Sequence, residues 1–148
     1  MSKMKNLLAG LGGAIALNLL HESLKKQHPD MPRIDLLGEE ALHKGLQCCG
    51  YTIADPATLY RATLAGDIIS NTAYYSMIGR GNNSNLWTKA VTLGLAAGVG
   101  AVTLPEPLGL DPQPVARNAR VKALTVGYYL AGALVTAGLL QVFGNDKP

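Results

Sequence analysis

The side chains best suited to chemistry in this sequence fall on one line. Tyr60, Thr63, Asp67, Ser70, Asn71 and Tyr74 recur at helical spacing, so a helix through them carries a polar stripe with a carboxylate near its centre. A lone carboxylate among hydroxyls and an amide can hold a proton, a cation or a small polar solute. It can equally fix helix registry by hydrogen bonding. A second set, Asn18, His21, Glu22 and Lys25, shares one face of an earlier segment. His21 can titrate near neutral pH with Glu22 orienting it, although the same residues also suit a solvated helix end. Tyr128 and Tyr129 lie deep in the last apolar segment, and at least one hydroxyl is expected to reach the Asp67 stripe.

Other chemistries lack their patterns. His21, His28, His43, Cys48 and Cys49 are suitable zinc donors. However, His21-Glu22-Ser23-Leu24-Lys25 has no second histidine one turn on, and no C-x-x-C pair is present, so neither metal nor cofactor is expected. Gly79-Arg80-Gly81-Asn82-Asn83-Ser84-Asn85 is not followed by Lys-Ser or Lys-Thr and reads as a turn, not a phosphate loop. The net charge of +3, with no basic face interleaved with aromatics, argues against a nucleic-acid partner. Adjacent Cys48 and Cys49 do not imply a disulfide framework. No nucleophile, base and orienting group converge, so an enzyme ranks below the other classes.

The elements that must position these residues read as membrane spans. Only 16% of the 148 residues are charged, against about 25% in soluble domains. Mean hydropathy is a modest +0.15 because charges crowd into residues 21–61 and 106–122. Ala123 to Gly144 contains no charge over 22 positions. At about 1.5 Å per residue that run is roughly 33 Å long, enough for a hydrocarbon core of about 30 Å. Ala90 to Leu104 is bounded by Trp87 and Lys89 on one side and by Pro105-Glu106-Pro107 on the other, an interfacial anchor and a helix stop. Asp55-Pro56 reads as an N-cap followed by proline at the first helical position, opening a helix that Gly79-Arg80-Gly81 closes. Lys3 and Lys5 before the apolar run Leu7–Leu20 have the outline of a signal peptide. Gly10, Gly12 and Gly13 interrupt that run and favour its retention as a helix.

The expected architecture is therefore all-α: one membrane domain over residues 1–148, an integral membrane four-helix bundle with spans at about 5–25, 56–79, 86–104 and 119–143. A short amphipathic helix at about 35–49 lies in the first connection, at the interface or capping the bundle. Four prolines between Pro105 and Pro114 predict a stiff, extended crossover. Gly94 and Gly98 on the third span, with Gly127 and Gly138 on the fourth, are expected to form thin faces for helix packing, either within the chain or in a homo-oligomer.

With four spans, Lys3, Lys5, Arg80, Lys89 and Lys147 share one side. Lys25, Lys26, Arg33, Lys44, Arg61, Arg117, Arg120 and Lys122 share the other, which the positive-inside rule leans toward the cytoplasm, and in a bacterium toward a multi-pass place in the inner membrane. Beyond the lipid bilayer no partner is specified. Two function classes stay open: a transporter or channel-like protein with a midplane polar site at Asp67, Asn71, Ser70, Thr63, Tyr74, Asn18, His21 and Glu22, or an accessory membrane protein in which Asp67 is interhelical glue.

Overall fold

The computed structural model describes residues 2–145, and among these it contains six α-helices and no strand. In chain order they are α1 (Lys3–Leu24), α2 (Ile34–Cys48), α3 (Pro56–Ser76), α4 (Leu86–Thr103), the single turn α5 (Gln113–Ala116) and α6 (Ala119–Asn145). Local signals account for most of the boundaries. Ser2 caps α1 by accepting from Lys5 N–H. Asp55 caps α3, its carboxylate accepting from Thr58 N–H at 3.1 Å and from the Thr58 hydroxyl at 2.6 Å, with Pro56 in the first turn. The end of α2 is a Schellman turn. Gly50 takes φ of +82°, Tyr51 N–H donates to Leu46 C=O at 2.9 Å and Gly50 N–H to Gln47 C=O at 3.1 Å.

The four long helices run alternately up and down in the spatial order α3, α1, α6, α4, with α2 laid against α3. Pairings such as Lys5 with Phe143 and Gly13 with Thr136 fix α1 antiparallel to α6, while Gly98 beside Val126 and Gly94 beside Leu130 do the same for α4 and α6. Close approach depends on missing side chains. A Cβ on Gly10 would lie 2.5 Å from the Thr72 carbonyl oxygen, and one on Gly132 2.5 Å from the Tyr75 hydroxyl. That hydroxyl donates to Tyr129 C=O at 2.8 Å, and Tyr75 is fully buried.

Three helical stretches are long and apolar enough to cross a membrane: Lys3–Leu24, Asn83–Thr103 and Ala119–Asn145. The expected second span, α3, has the length, but Arg61, Asp67, Asn71 and its hydroxyl residues dilute its hydropathy. Polar side chains are buried beside the apolar core, and many large apolar side chains face outward. Asn6, His21, Thr63, Asn71, Thr125 and Thr136 are buried, while Leu8, Ile15 and Leu19 on α1, Ile69 on α3, and Trp87, Val91, Leu95 and Val99 on α4 are exposed. On α4 the two sets form separate stripes at steps of four, with Leu86, Ala90, Gly94 and Gly98 turned inward against α6.

The proline-rich crossover is not extended. Residues 104–110 fold as successive turns, with Leu110 N–H donating to Pro105 C=O at 2.8 Å and Gly109 at φ +78°, and α5 follows. The fixed φ of proline suits turn positions and a first helical turn as well as it suits an extended chain. This crossover locks onto the first connection. Arg33 N–H donates to Pro114 C=O at 2.9 Å, Lys44 Nζ to Gly109 C=O at 2.6 Å, Asp111 N–H to the Glu40 carboxylate, and Asn118 Nδ2 to Asp30 Oδ1 at 3.0 Å. The two polar connections thus form one cap over one end of the bundle.

Candidate binding cavity

A cavity of about 280 Å³ lies between α1, α2 and α3, with Tyr129 of α6 in its wall. α1 contributes Leu17, Asn18, His21 and Glu22, one turn apart along a single face. α3 contributes Tyr60, Thr63, Asp67 and Ser70, and α2 closes the remaining side with Ile34, Asp35, Leu37, Gly38 and Leu42. The two polar sets legible in the sequence therefore meet because α1 and α3 are antiparallel, which brings position 18 opposite 67 and position 22 opposite 60. Gly38 permits α2 to settle there, since a Cβ would stand 2.7 Å from Thr63 Cγ2.

The carboxylate of Asp67 accepts from Asn71 Nδ2 at 3.0 Å, a bond within its own helix. Asn18 of α1 lies beside it, with its amide Nδ2 donated to Ala14 C=O at 2.9 Å. Among the described residues no cation forms a salt bridge to Asp67. Thr63 is only 8% exposed and its hydroxyl oxygen has no hydrogen-bond partner. Ser70 donates to Gly66 C=O at 2.8 Å and remains exposed on α3. Tyr74 leaves the stripe: its hydroxyl donates to Leu93 C=O at 2.7 Å and ties α3 to α4. The expected bond from the Tyr128 or Tyr129 hydroxyl to the Asp67 stripe is absent among the described residues. Tyr128 instead packs edge-on to His21 with centroids 6.4 Å apart, its buried hydroxyl unpartnered, and Tyr129 reaches the cavity wall.

At the capped end of the cavity sits a charged network. Asp35, whose side chain is 8% exposed, accepts from Arg33 Nε at 3.0 Å and Arg33 Nη2 at 2.9 Å, with Lys25 Nζ at 3.5 Å. Lys25 also pairs with Glu22 at 2.9 Å, and Glu22 accepts from the Tyr60 hydroxyl at 2.5 Å. Burial pushes the Asp35 carboxyl up, but the hydrogen bonds and positive charge of the Arg33 guanidinium outweigh it and hold it well below the usual carboxylate range. His21 Nε2 accepts from Ile34 N–H at 3.1 Å, so the first turn of α2, which has no side-chain cap of its own, is capped from α1. The same nitrogen stands 3.3 Å from Asp35 Oδ1 and can donate to it only when the ring is protonated.

Asp35 was not singled out by its spacing. In the sequence it is an acidic residue in the first turn of a short helix, favourable there on dipole grounds alone, and nothing local returns it to His21. Of the four glycines expected to thin packing faces, Gly94 and Gly98 abut α6, a Cβ on Gly98 lying 2.6 Å from Val126 Cα. Gly127 meets nothing within 4 Å and Gly138 only the far edge of the Trp87 ring of α4 at 4.0 Å, so neither sets a close approach of helix backbones. Among the described residues no three His, Cys, Asp or Glu side chains gather as metal ligands, and Cys48 and Cys49 are free and exposed on α2. Comparison with protein families, curated proteins and solved structures finds no match for this chain.

Proposed function

We propose that this chain is an integral membrane protein of four spans, with α3 as the fourth, and that it works as a small transporter or channel-like protein whose solute site is the Asp67 cavity. The single observation that carries this reading is a carboxylate in a cavity, held by Asn71 of its own helix and approached by Asn18 of α1, to which no cation is paired among the described residues. Carboxylates at membrane depth are rare and costly, by about 2.5–3.5 kcal/mol on insertion scales, and are retained where they meet an ion or solute. The exposed apolar rows support the membrane setting: lipid accepts those on α1 and α4, and α1 and α2 cover the more polar α3 along part of its circumference. Glu22 and Asp35 have Lys25 and Arg33 as counter-charges, so the unbalanced charge in the cavity is that of Asp67. A cation, or a solute rich in hydrogen-bond donors, complements it.

An accessory role, with Asp67 as interhelical glue, has one observation in its favour, the approach of Asn18 from α1. Membrane extraction with alkaline carbonate tests the setting, since an integral chain stays in the pellet. Cation-dependent flux into proteoliposomes, compared with Asp67→Asn, tests the site. Flux equal in the two proteins argues for the accessory role, and release of the chain by carbonate removes both readings.

A further inference from the structure

Resting on the reading of the Asp67 cavity as a solute site, we propose that its ligand is a small amphipathic ammonium ion that enters sideways from the bilayer, and not an inorganic cation. Three features of the cavity lead there. The first is size. A cavity of about 150 Å³ accepts benzene, so the 280 Å³ here holds a body of roughly ten non-hydrogen atoms, far more than a bare ion fills.

The second is the division of its walls. Polar groups gather at Asp67, whose carboxylate can accept from an N–H beyond the bond it takes from Asn71, with Asn18 and Thr63 beside it in the lining. The opposing wall from Leu17, Leu37 and Leu42 is aliphatic and offers nothing to a hydration shell. An ammonium head with two or three N–H donors satisfies the first region while an apolar body fills the second. Glu22 and Asp35 in the lining are already paired with Lys25 and Arg33, so an inorganic cation would find Asp67 as the one carboxylate there without a cationic partner among the described residues, short of the six or more oxygen ligands that a hard cation such as calcium takes.

The third is the opening. Gly66 and Ser70 are the exposed residues in the lining, one turn apart on the outer face of α3, and Ile69 beside them is 71% exposed. With α3 as a span, that face looks into hydrocarbon, where an amphipathic amine concentrates. A Cβ on Gly66 would meet nothing within 4 Å, so a larger side chain there can narrow the mouth without disturbing the packing.

The test uses the full chain in lipid nanodiscs at neutral pH, with binding of phenethylammonium followed by calorimetry beside its neutral isostere 2-phenylethanol and beside sodium and potassium chloride. Wild type is expected to bind phenethylammonium saturably and at least tenfold more tightly than the alcohol. Asp67→Asn, which keeps an acceptor for Asn71, should weaken it ten- to a hundredfold, whereas Gly66→Leu should slow association, followed by stopped flow, at least tenfold with no fall in melting temperature. Equal binding of the alcohol, or unchanged affinity in Asp67→Asn, overturns the proposal. An unchanged association rate in Gly66→Leu overturns the lateral route. Binding of sodium or potassium that depends on Asp67, without binding of the amine, overturns the ligand class and leaves the solute site standing. No Asp67-dependent binding of any probe removes both.

Discussion

Replacing Asp67 by leucine should raise the stability of this protein. In the native chain the carboxylate accepts from Asn71 on the same helix and is approached by the Asn18 amide of α1, and among the described residues its removal cuts no salt bridge between helices. The lost bond to a charged acceptor contributes about 1.5–3 kcal/mol. Against it stand, on the proposal that α3 is a span, about 2.5–3.5 kcal/mol of desolvation for the carboxylate and the gain from an aliphatic side chain in a cavity already lined by Leu17 and Leu64. The balance favours leucine by about 1 kcal/mol, which for a chain of this size moves the melting temperature up by roughly 2–4 °C. Asp67→Asn, which retains an acceptor for Asn71, should fall between wild type and leucine. Circular dichroism at 222 nm during heating in detergent measures all three. A fall of several degrees in both variants would refute the reasoning, because it would mean that Asp67 holds α1 and α3 together through Asn18. Stability gained on neutralising a residue is the signature of a site kept for activity at the expense of the fold.

Other outcomes follow from the packing and the cap. Asp35 has a folded pKa below its unfolded value of about 3.9, so its contribution to stability is present above that value and is lost as pH falls below it. Wild type should therefore lose melting temperature below about pH 4, and Asp35→Asn should start about 2–3 kcal/mol less stable at pH 7 and show a flatter acid limb. Gly98→Ala places a methyl 2.6 Å from Val126 Cα and should cost about 1–3 kcal/mol, whereas Gly127→Ala meets open space and should be neutral or stabilising by up to about 1 kcal/mol. Thermal melts of the two variants side by side check that contrast. Cys48 and Cys49, exposed on the capping helix, report orientation: an impermeant maleimide should label them in inverted vesicles and not in intact cells. Labelling in intact cells would place the cap outside.

The helix boundaries were legible because their causes are local. Asp55-Pro56 starts α3 wherever it sits, Pro105 follows the end of α4, and the uncharged run to Gly144 is helical on its own pattern. The amphipathic segment near residues 35–49 likewise appears as α2, displaced by a residue. The cavity was half legible. Helical spacing places Asn18, His21 and Glu22 on one face and Thr63, Asp67 and Ser70 on another, but spacing carries no information on which face meets which. Tyr74 shows the limit, since it keeps the period of the stripe and yet turns to Leu93.

By itself, then, the sequence determined the all-helical class, the positions of the long helices and their polar stripes, because caps, prolines and hydropathy act within a few residues. Only the tertiary structure decided that α1 and α3 pair antiparallel, that His21 caps α2, that Asp35 joins the network, and that the two polar connections close over one end. Those outcomes depend on where glycines such as Gly10, Gly13 and Gly38 let backbones approach and on bonds between residues as distant in sequence as Lys44 and Gly109. The free energy that selects them comes from packing the whole chain together, which no local window contains.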